Sequence, residues 1–373
     1  MVVPLYGRCI AAAVGLLLIA FSGASVIGTL MVPRPAGGQL TPWVDRLVNG
    51  SFQLLTRLIA DYKRRDRVLA SQAAALLVCQ LIAWLGIFYV GFSLLLWPFV
   101  PAGVTRAFDT AGPALWSIGN STVHGAAERA IQYCAALTGL VTVTLQIAYL
   151  PTLYSAFNRR ETDVALLNAR AGFPSWGPEL LARTHYALGS GASTIDTLPD
   201  LYRQWERWAA DVAESHTTYL PLVRFRSPRP LSSWVTALLA VLDSAALYLA
   251  LSPKAAPTVP ARLCLRGGFQ CFTEVARGMG IRVAEMPDAS QGISLSYEDF
   301  LEAVEHMNSV DFPVERDPAD AWPDFVGWRV NYEQAAYAVA LAVDAVPALW
   351  SGPRRHRTPA IPPIRPALGR PPK

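Results

Sequence analysis

Two stretches without a charged side chain, residues 68–105 and 130–158, flank one short hydrophilic segment. Each is longer than the roughly 20 apolar residues a helix needs to cross the hydrocarbon core. Lys63, Arg64, Arg65, Asp66 and Arg67 precede the first stretch, and Arg159 and Arg160 follow the second. Basic residues beside spans stay cytoplasmic, so both outer ends share one face and the chain makes a hairpin through the bilayer. The tip, 98–128, is too polar for another crossing. Its semi-apolar run, 104–118, suits a short helix dipping partway back. Span, re-entrant loop, span is the layout of a pore.

Composition agrees with a membrane protein that also carries a large soluble part. Hydrophobic residues make up 52% of the chain and charged residues 16%, against about 25% charged in soluble domains. A mean hydropathy of +0.28 is low for spans alone. The fold class expected is all-α, with about three spans in the first part and a cytoplasmic α-helical domain after them.

Cys9 to Pro33 supplies the third span, free of charge. A signal peptide is the rival reading, because the apolar core Ile10–Phe21 is followed by small residues at Ser22–Ser25. Apolar character persists to Val32, and cleavage would leave the basic segment 34–67 outside, so a retained anchor is expected. The amino terminus then lies outside and the carboxyl-terminal domain in the cytoplasm of an inner, or plasma, membrane. In segment 34–67, Val48, Phe52, Leu55, Ile59 and Tyr62 recur at helical spacing among Arg46, Arg57 and the 63–67 cluster. An amphipathic helix near anionic headgroups fits this, and so does a solvated linker helix. Membrane proximity accounts for the charge without a nucleic-acid role.

The expected organisation is an anchor over 1–33, a basic amphipathic linker over 34–71, a span–pore loop–span unit over 72–158, a helical domain over 159–351 and a disordered tail over 352–373. The tail is proline-rich and carries six bases and no acid, whereas 156–351 is net acidic.

Within the tip, Phe108, Ala111, Leu115 and Ile118 repeat every three or four residues, and Pro113 limits that helix to a short or kinked one. Ser117, Gly119, Asn120, Ser121 and Thr122 are small and polar, as a segment turning its carbonyls to an axis requires. In the second span Thr138, Gly139, Thr142, Thr144 and Gln146 face helix neighbours or water rather than lipid. Packing accounts for the threonines, Gln146 is the candidate for facing water, and Pro151 kinks or ends the helix.

Phe108-Asp-Thr-Ala-Gly-Pro-Ala-Leu-Trp-Ser-Ile-Gly119 resembles the loop of the potassium-channel superfamily's two-span, one-loop unit. The likeness is greatest to divergent bacterial potassium-channel-like membrane proteins. Ile147 to Glu161 is similar to the inner end of their second pore span. Arg226-Ser-Pro-Arg-Pro and Phe325-Val-Gly-Trp-Arg-Val-Asn-Tyr332 are similar to their soluble part. The resemblance implies a homo-oligomer, a tetramer, passing monovalent cations. Its filter would lie at Ser117, Ile118, Gly119 and Asn120, or alternatively at Thr122, Val123, His124 and Gly125, with Gln146 and Thr142 in the inner vestibule. A potassium filter is a Thr-Val-Gly-Tyr-Gly run whose carbonyls replace the ion's water shell. Neither candidate encodes that cage, so the filter is degenerate. The other reading of these residues is a plain extracytoplasmic hairpin with a short capping helix.

After Arg159 the pattern is helical. Gly172 and Pro174 stop one helix, Thr197 and Asp200 form a capping-box start, and so do Ser296 and Asp299. Residues 325–346 close the series before Pro347. Trp234–Leu251 is apolar enough to approach a span, but Asp243 in its middle favours a buried core helix, with Arg224, Arg226 or Arg229 as the partner. Cys9, Cys79, Cys134, Cys264 and Cys271 show no CxxC spacing and the histidines are scattered, so no metal site or cofactor is expected. Phosphate loops, nucleophile elbows and HExxH are missing, and no enzyme is expected. The functional expectation is a channel-like membrane protein. The competing one is a non-conducting scaffold or sensor whose helical domain binds a partner.

Overall fold

The computed structural model describes residues 5–32, 40–100, 103–116, 125–185, 194–284, 287 and 292–353. Every element among them is helical. Four helices are long and apolar enough to cross a membrane: Tyr6–Leu30, Tyr62–Phe99, Ala126–Ala171 and Trp234–Leu251. That is consistent with a multi-pass membrane protein. The chain divides into two compact units, Met1–Leu58 with Ser71–Ser155, and Ile59–Ala70 with Ala156–Lys373.

Up to residue 171 the helices are α1 (Leu5–Leu30), α2 (Leu40–Thr56), α3 (Tyr62–Leu69), α4 (Gln72–Leu96), α5 (Val104–Trp116) and α6 (Ala126–Ala171). In the first unit α1 lies antiparallel on α4. A Cβ on Gly15 would stand 2.5 Å from the Gly91 carbonyl oxygen, so the two backbones touch where both residues are glycine. Trp84 is fully buried there; its Nε1 donates to Ser25 Oγ at 3.0 Å, and Ser22 Oγ donates to its carbonyl at 3.3 Å. Apolar chains cannot drive helix association within lipid, so close backbone approach and polar bonds of this kind do.

The 34–71 segment is divided rather than continuous. α2 starts at Leu40 and ends at Thr56, and α3 starts afresh after Asp61, whose carboxylate accepts from the Arg64 backbone N–H at 3.2 Å. α2 stays with the first unit, antiparallel to the first turns of α4. Gln80 Nε2 donates to Thr41 Oγ1 at 3.1 Å and Gln72 Nε2 to Asn49 Oδ1 at 3.0 Å, with Val44, Val48 and Leu76 packed between. α3 belongs to the second unit.

The helix expected to begin near Arg159 is also different. It is the continuation of the span, one 46-residue helix that runs through Pro151 to Ala171. Proline removes one backbone hydrogen bond, a loss a long helix tolerates. Gly172, at φ +86°, then supplies the left-handed residue that ends it.

The second unit continues with α7 (Gly177–His185), α8 (Leu198–Thr218), α9 (Trp234–Leu251), α10 (Thr258–Gly278), α11 (Tyr297–Asn308), α12 (Pro318–Arg329) and α13 (Glu333–Ala342). α9 is the axis of its core. Every α9 residue is buried, and α7, α8, α10, α12 and α13 all pack against it. Leu201, Trp205, Trp208 and Val212 turn inward from α8, as do Phe300, Val304 and Met307 from α11. Ser296 and Asp299 form the capping box, with Asp299 N–H donating to Ser296 Oγ at 3.1 Å. Thr197 makes no side-chain cap bond, because a single 3-10 turn precedes α8 and its backbone is already helical. The 325–346 segment is broken at 330–332 into the end of α12 and the whole of α13. Within the tail, 354–373 lies outside the described residues.

Candidate functional site

The geometry that bears most on function is the path of α5 between α4 and α6. Ala107, Thr110, Ala111 and Leu115 are its buried positions, spaced as one helical face. Ala107, Ala111 and Leu115 share a core with Trp84, Phe88, Phe92 and Leu96 of α4 and Ala135 of α6. Phe108 meets Tyr89 edge to face at 5.3 Å. At the far end the Leu115 carbonyl lies directly on Gly139, leaving no room for a Cβ there. Gly139 is 13 residues beyond Ala126, the first residue of α6, which at about 1.5 Å per residue is about 20 Å along the helix. α5 therefore runs alongside the spans, not across their ends.

α6 turns one polar stripe inward. Glu128, Gln132, Thr142 and Gln146 are buried together with Ala135, Gly139, Tyr149 and Leu153 at a spacing of three and four, while Tyr133, Leu137, Leu140 and Ile147 are exposed. Thr138 and Thr142 return their hydroxyl protons to the carbonyls of Cys134 and Thr138, each at 2.7 Å. Gln146 is only 5% exposed, and neither its Nε2 nor its Oε1 has a hydrogen-bond partner among the described residues. Of the filter candidates, Ser117, Ile118, Gly119, Asn120, Thr122, Val123 and His124 lie outside the described residues; Gly125 is placed, its carbonyl accepting from Arg129 N at 3.1 Å.

The second unit concentrates its polar chemistry in buried clusters. Asp243 of α9 accepts from Arg329 Nη1 and from Tyr332 Oη at 2.8 Å, so its partner is Arg329 rather than Arg224, Arg226 or Arg229. Arg329 is itself fully buried and donates to Glu333 at 2.9 Å, Tyr337 Oη at 2.8 Å and the Trp350 carbonyl at 2.7 Å. Sequence reading missed this pair because the two residues are 86 positions apart.

Arg160 is also fully buried. It donates to Glu161 at 2.8 Å, to the carbonyls of Leu222 and Phe225 at 2.9 and 2.7 Å, and to His216 Nε2 at 2.9 Å. A cation donating to Nε2 assigns the proton of a neutral ring to Nδ1, 3.1 Å from Ser215 Oγ. Burial, helped by the Arg160 charge, holds His216 well below the ordinary histidine range.

A third arginine holds α3. Arg226 Nη1 donates to Asp66 at 2.6 Å and Tyr62 Oη at 3.2 Å, and Nη2 to the carbonyls of Val343 and Asp344 at 3.0 and 2.8 Å. Arg65 pairs with Asp344 at 2.5 Å beside it. Elsewhere Glu179 joins His306 and Arg183; burial pushes its carboxyl up, but these two donors outweigh that and hold it below the usual carboxylate value. A groove of about 710 Å³ between α6 and α8 sets Arg159, Arg203 and Arg207 among Asp163, Asp200 and Asp211, a balanced lining that selects no charge. Among the described residues no group of three His, Cys, Asp or Glu side chains converges as a metal site.

No protein-family profile, curated protein or solved structure matches the chain.

Proposed function

We propose that α4, α5 and α6 form a channel-like pore module, and that the protein passes monovalent cations when several chains, four by the resemblance, assemble around one axis. The observation that carries this reading is the seat of the Leu115 carbonyl on Gly139, about 20 Å along α6. A helix whose later residues reach such a depth aims its carboxyl-terminal dipole toward the membrane interior, where it favours a cation. In this reading Ser117, Ile118, Gly119 and Asn120 supply the narrow point, with Thr122 to Gly125 as the second candidate. The basic residues 63–67 and 159–160 support a cytoplasmic helical unit and an amino terminus outside. The packing of α1 on α4 through Gly15, Gly91 and Trp84 supports a retained anchor.

The test is cation flux in liposomes holding the purified protein. Wild-type protein is expected to leak potassium or thallium, and Gly139→Leu to abolish that flux by displacing α5 while still inserting. A sealed wild-type vesicle, a monomer in detergent, or an unchanged Gly139→Leu flux overturns the proposal. The second reading, a non-conducting anchor, is favoured by the self-contained core around α9, and sealed vesicles would leave it standing.

A further inference from the structure

α2 has two apolar faces, and only one of them is occupied. Val44 and Val48 pack on Leu76 of α4. On the adjoining face Trp43, Leu47 and Leu54 are 64%, 71% and 70% exposed. At about 100° per residue, Trp43, Leu47 and Leu54 fall within about 40° of one another, a single stripe. Arg46 lies at its edge and Arg57 directly follows the last residue of α2; both are exposed, and the Arg46 guanidinium stacks on the Trp43 ring at 5.5 Å. Large exposed apolar surface of this kind marks an interaction site.

The occupant follows from the neighbour. α4 is one of the helices apolar enough to cross a membrane, and its Val78 and Ile82 are 56% and 60% exposed. α2 is bonded along the Gln72–Gln80 stretch of α4, at the level of those two residues, which lie on the opposite face of α4. An apolar stripe flanked by arginines and continuous with a lipid-facing span is how an interfacial helix presents itself. We infer that α2 is half-embedded in the leaflet beside α4, its Trp43–Leu54 stripe among acyl chains and Arg46 and Arg57 on the phosphate groups of anionic phospholipids. The inference rests on the membrane reading of α4 and is independent of whether the protein conducts.

The experiment uses the full chain in nanodiscs, with Cys9, Cys79 and Cys134 replaced by alanine. Cys264 and Cys271 remain: both are fully buried, and burial pushes their thiols far up, so they stay unlabelled. A nitroxide at Leu54→Cys should collide several-fold more often with oxygen than with a water-soluble nickel chelate, and one at Gln53→Cys the reverse. A nickel-accessible Leu54→Cys overturns the inference, as does protection from both reagents, which would mean a protein partner. A label at Ile82→Cys serves as the control; were it nickel-accessible, the membrane reading of α4 itself would fall. For the headgroups, the preference for phosphatidylglycerol over phosphatidylcholine, read as the difference in midpoint concentration for bound lipid, should fall about 30-fold in the Arg46→Gln/Arg57→Gln double variant, the equivalent of about 1 kcal/mol per arginine. An unchanged preference removes the phosphate contacts.

Discussion

Asp243 in α9 and Gln146 in α6 are both polar side chains set within long apolar helices, and both are buried. The second unit surrounds Asp243 completely: Arg329 and Tyr332 donate to it, and Glu333, Tyr337 and the Trp350 carbonyl satisfy Arg329 in turn. Among the described residues of the first unit, neither end of the Gln146 amide is bonded. A buried charge without its partner costs more than a small domain can bear, so the helical unit carries a complete counter-ion network inside its own core. An unpartnered neutral amide costs only about 1–3 kcal/mol, a burden that persists most readily where a polar group has work to do. The contrast separates a unit organised for its own stability from one with polarity held in reserve.

Breaking the network should have the largest effect. Arg329→Met leaves Asp243 uncompensated and is expected to cost about 3–5 kcal/mol, read as loss of the cooperative thermal transition of the helical unit. The double variant Asp243→Leu/Arg329→Met should recover most of it, since replacing both partners by apolar groups removes the unpaired charge. Next is Arg226→Met, which removes the donor to Asp66, to Tyr62 Oη and to two backbone carbonyls; about 2–3 kcal/mol is expected. Hydrogen exchange should show that loss as deprotection confined to residues 62–69.

Gln146→Leu tests the other side of the comparison. With no bond to a described residue to lose, the variant should be neutral or more stable by about 1–2 kcal/mol in detergent denaturation. A clear destabilisation would show that a second chain or solvent bonds the amide in the assembled protein.

The smallest expected effect is a pH dependence from His216. Its folded value lies below its unfolded value of about 6.5, so the unfolded state binds the proton first. Stability is full above that pH and falls by up to about 1.4 kcal/mol per unit as pH drops below it. His216→Gln should flatten the slope between pH 6.5 and 5, which a series of melting curves would show.

Much of the architecture was legible because it depends on local composition. The uncharged stretches 68–105 and 130–158 contain α4 and the middle of α6, and 104–116 of the apolar run form α5. The Asp243 argument pointed to a buried helix, since one charge within a span is a local cost, and every α9 residue is buried. Its partner was not legible: nearby Arg224, Arg226 and Arg229 were plausible, but Arg226 serves α3 and Arg329 reaches α9 from 86 residues away. Likewise Ser296 and Thr197 head the same kind of motif, yet only Ser296 caps its helix, because the turn before Thr197 takes the backbone first.

The sequence alone therefore determined which segments are apolar enough to leave water, since transfer from water is a property of each segment. Tertiary structure decided that α3 belongs to the helical unit, that the span continues unbroken to Ala171, and that the carbonyl of Leu115 sits on Gly139. Those depend on which surfaces meet, and that is fixed by shape and paired charge between residues far apart in the chain.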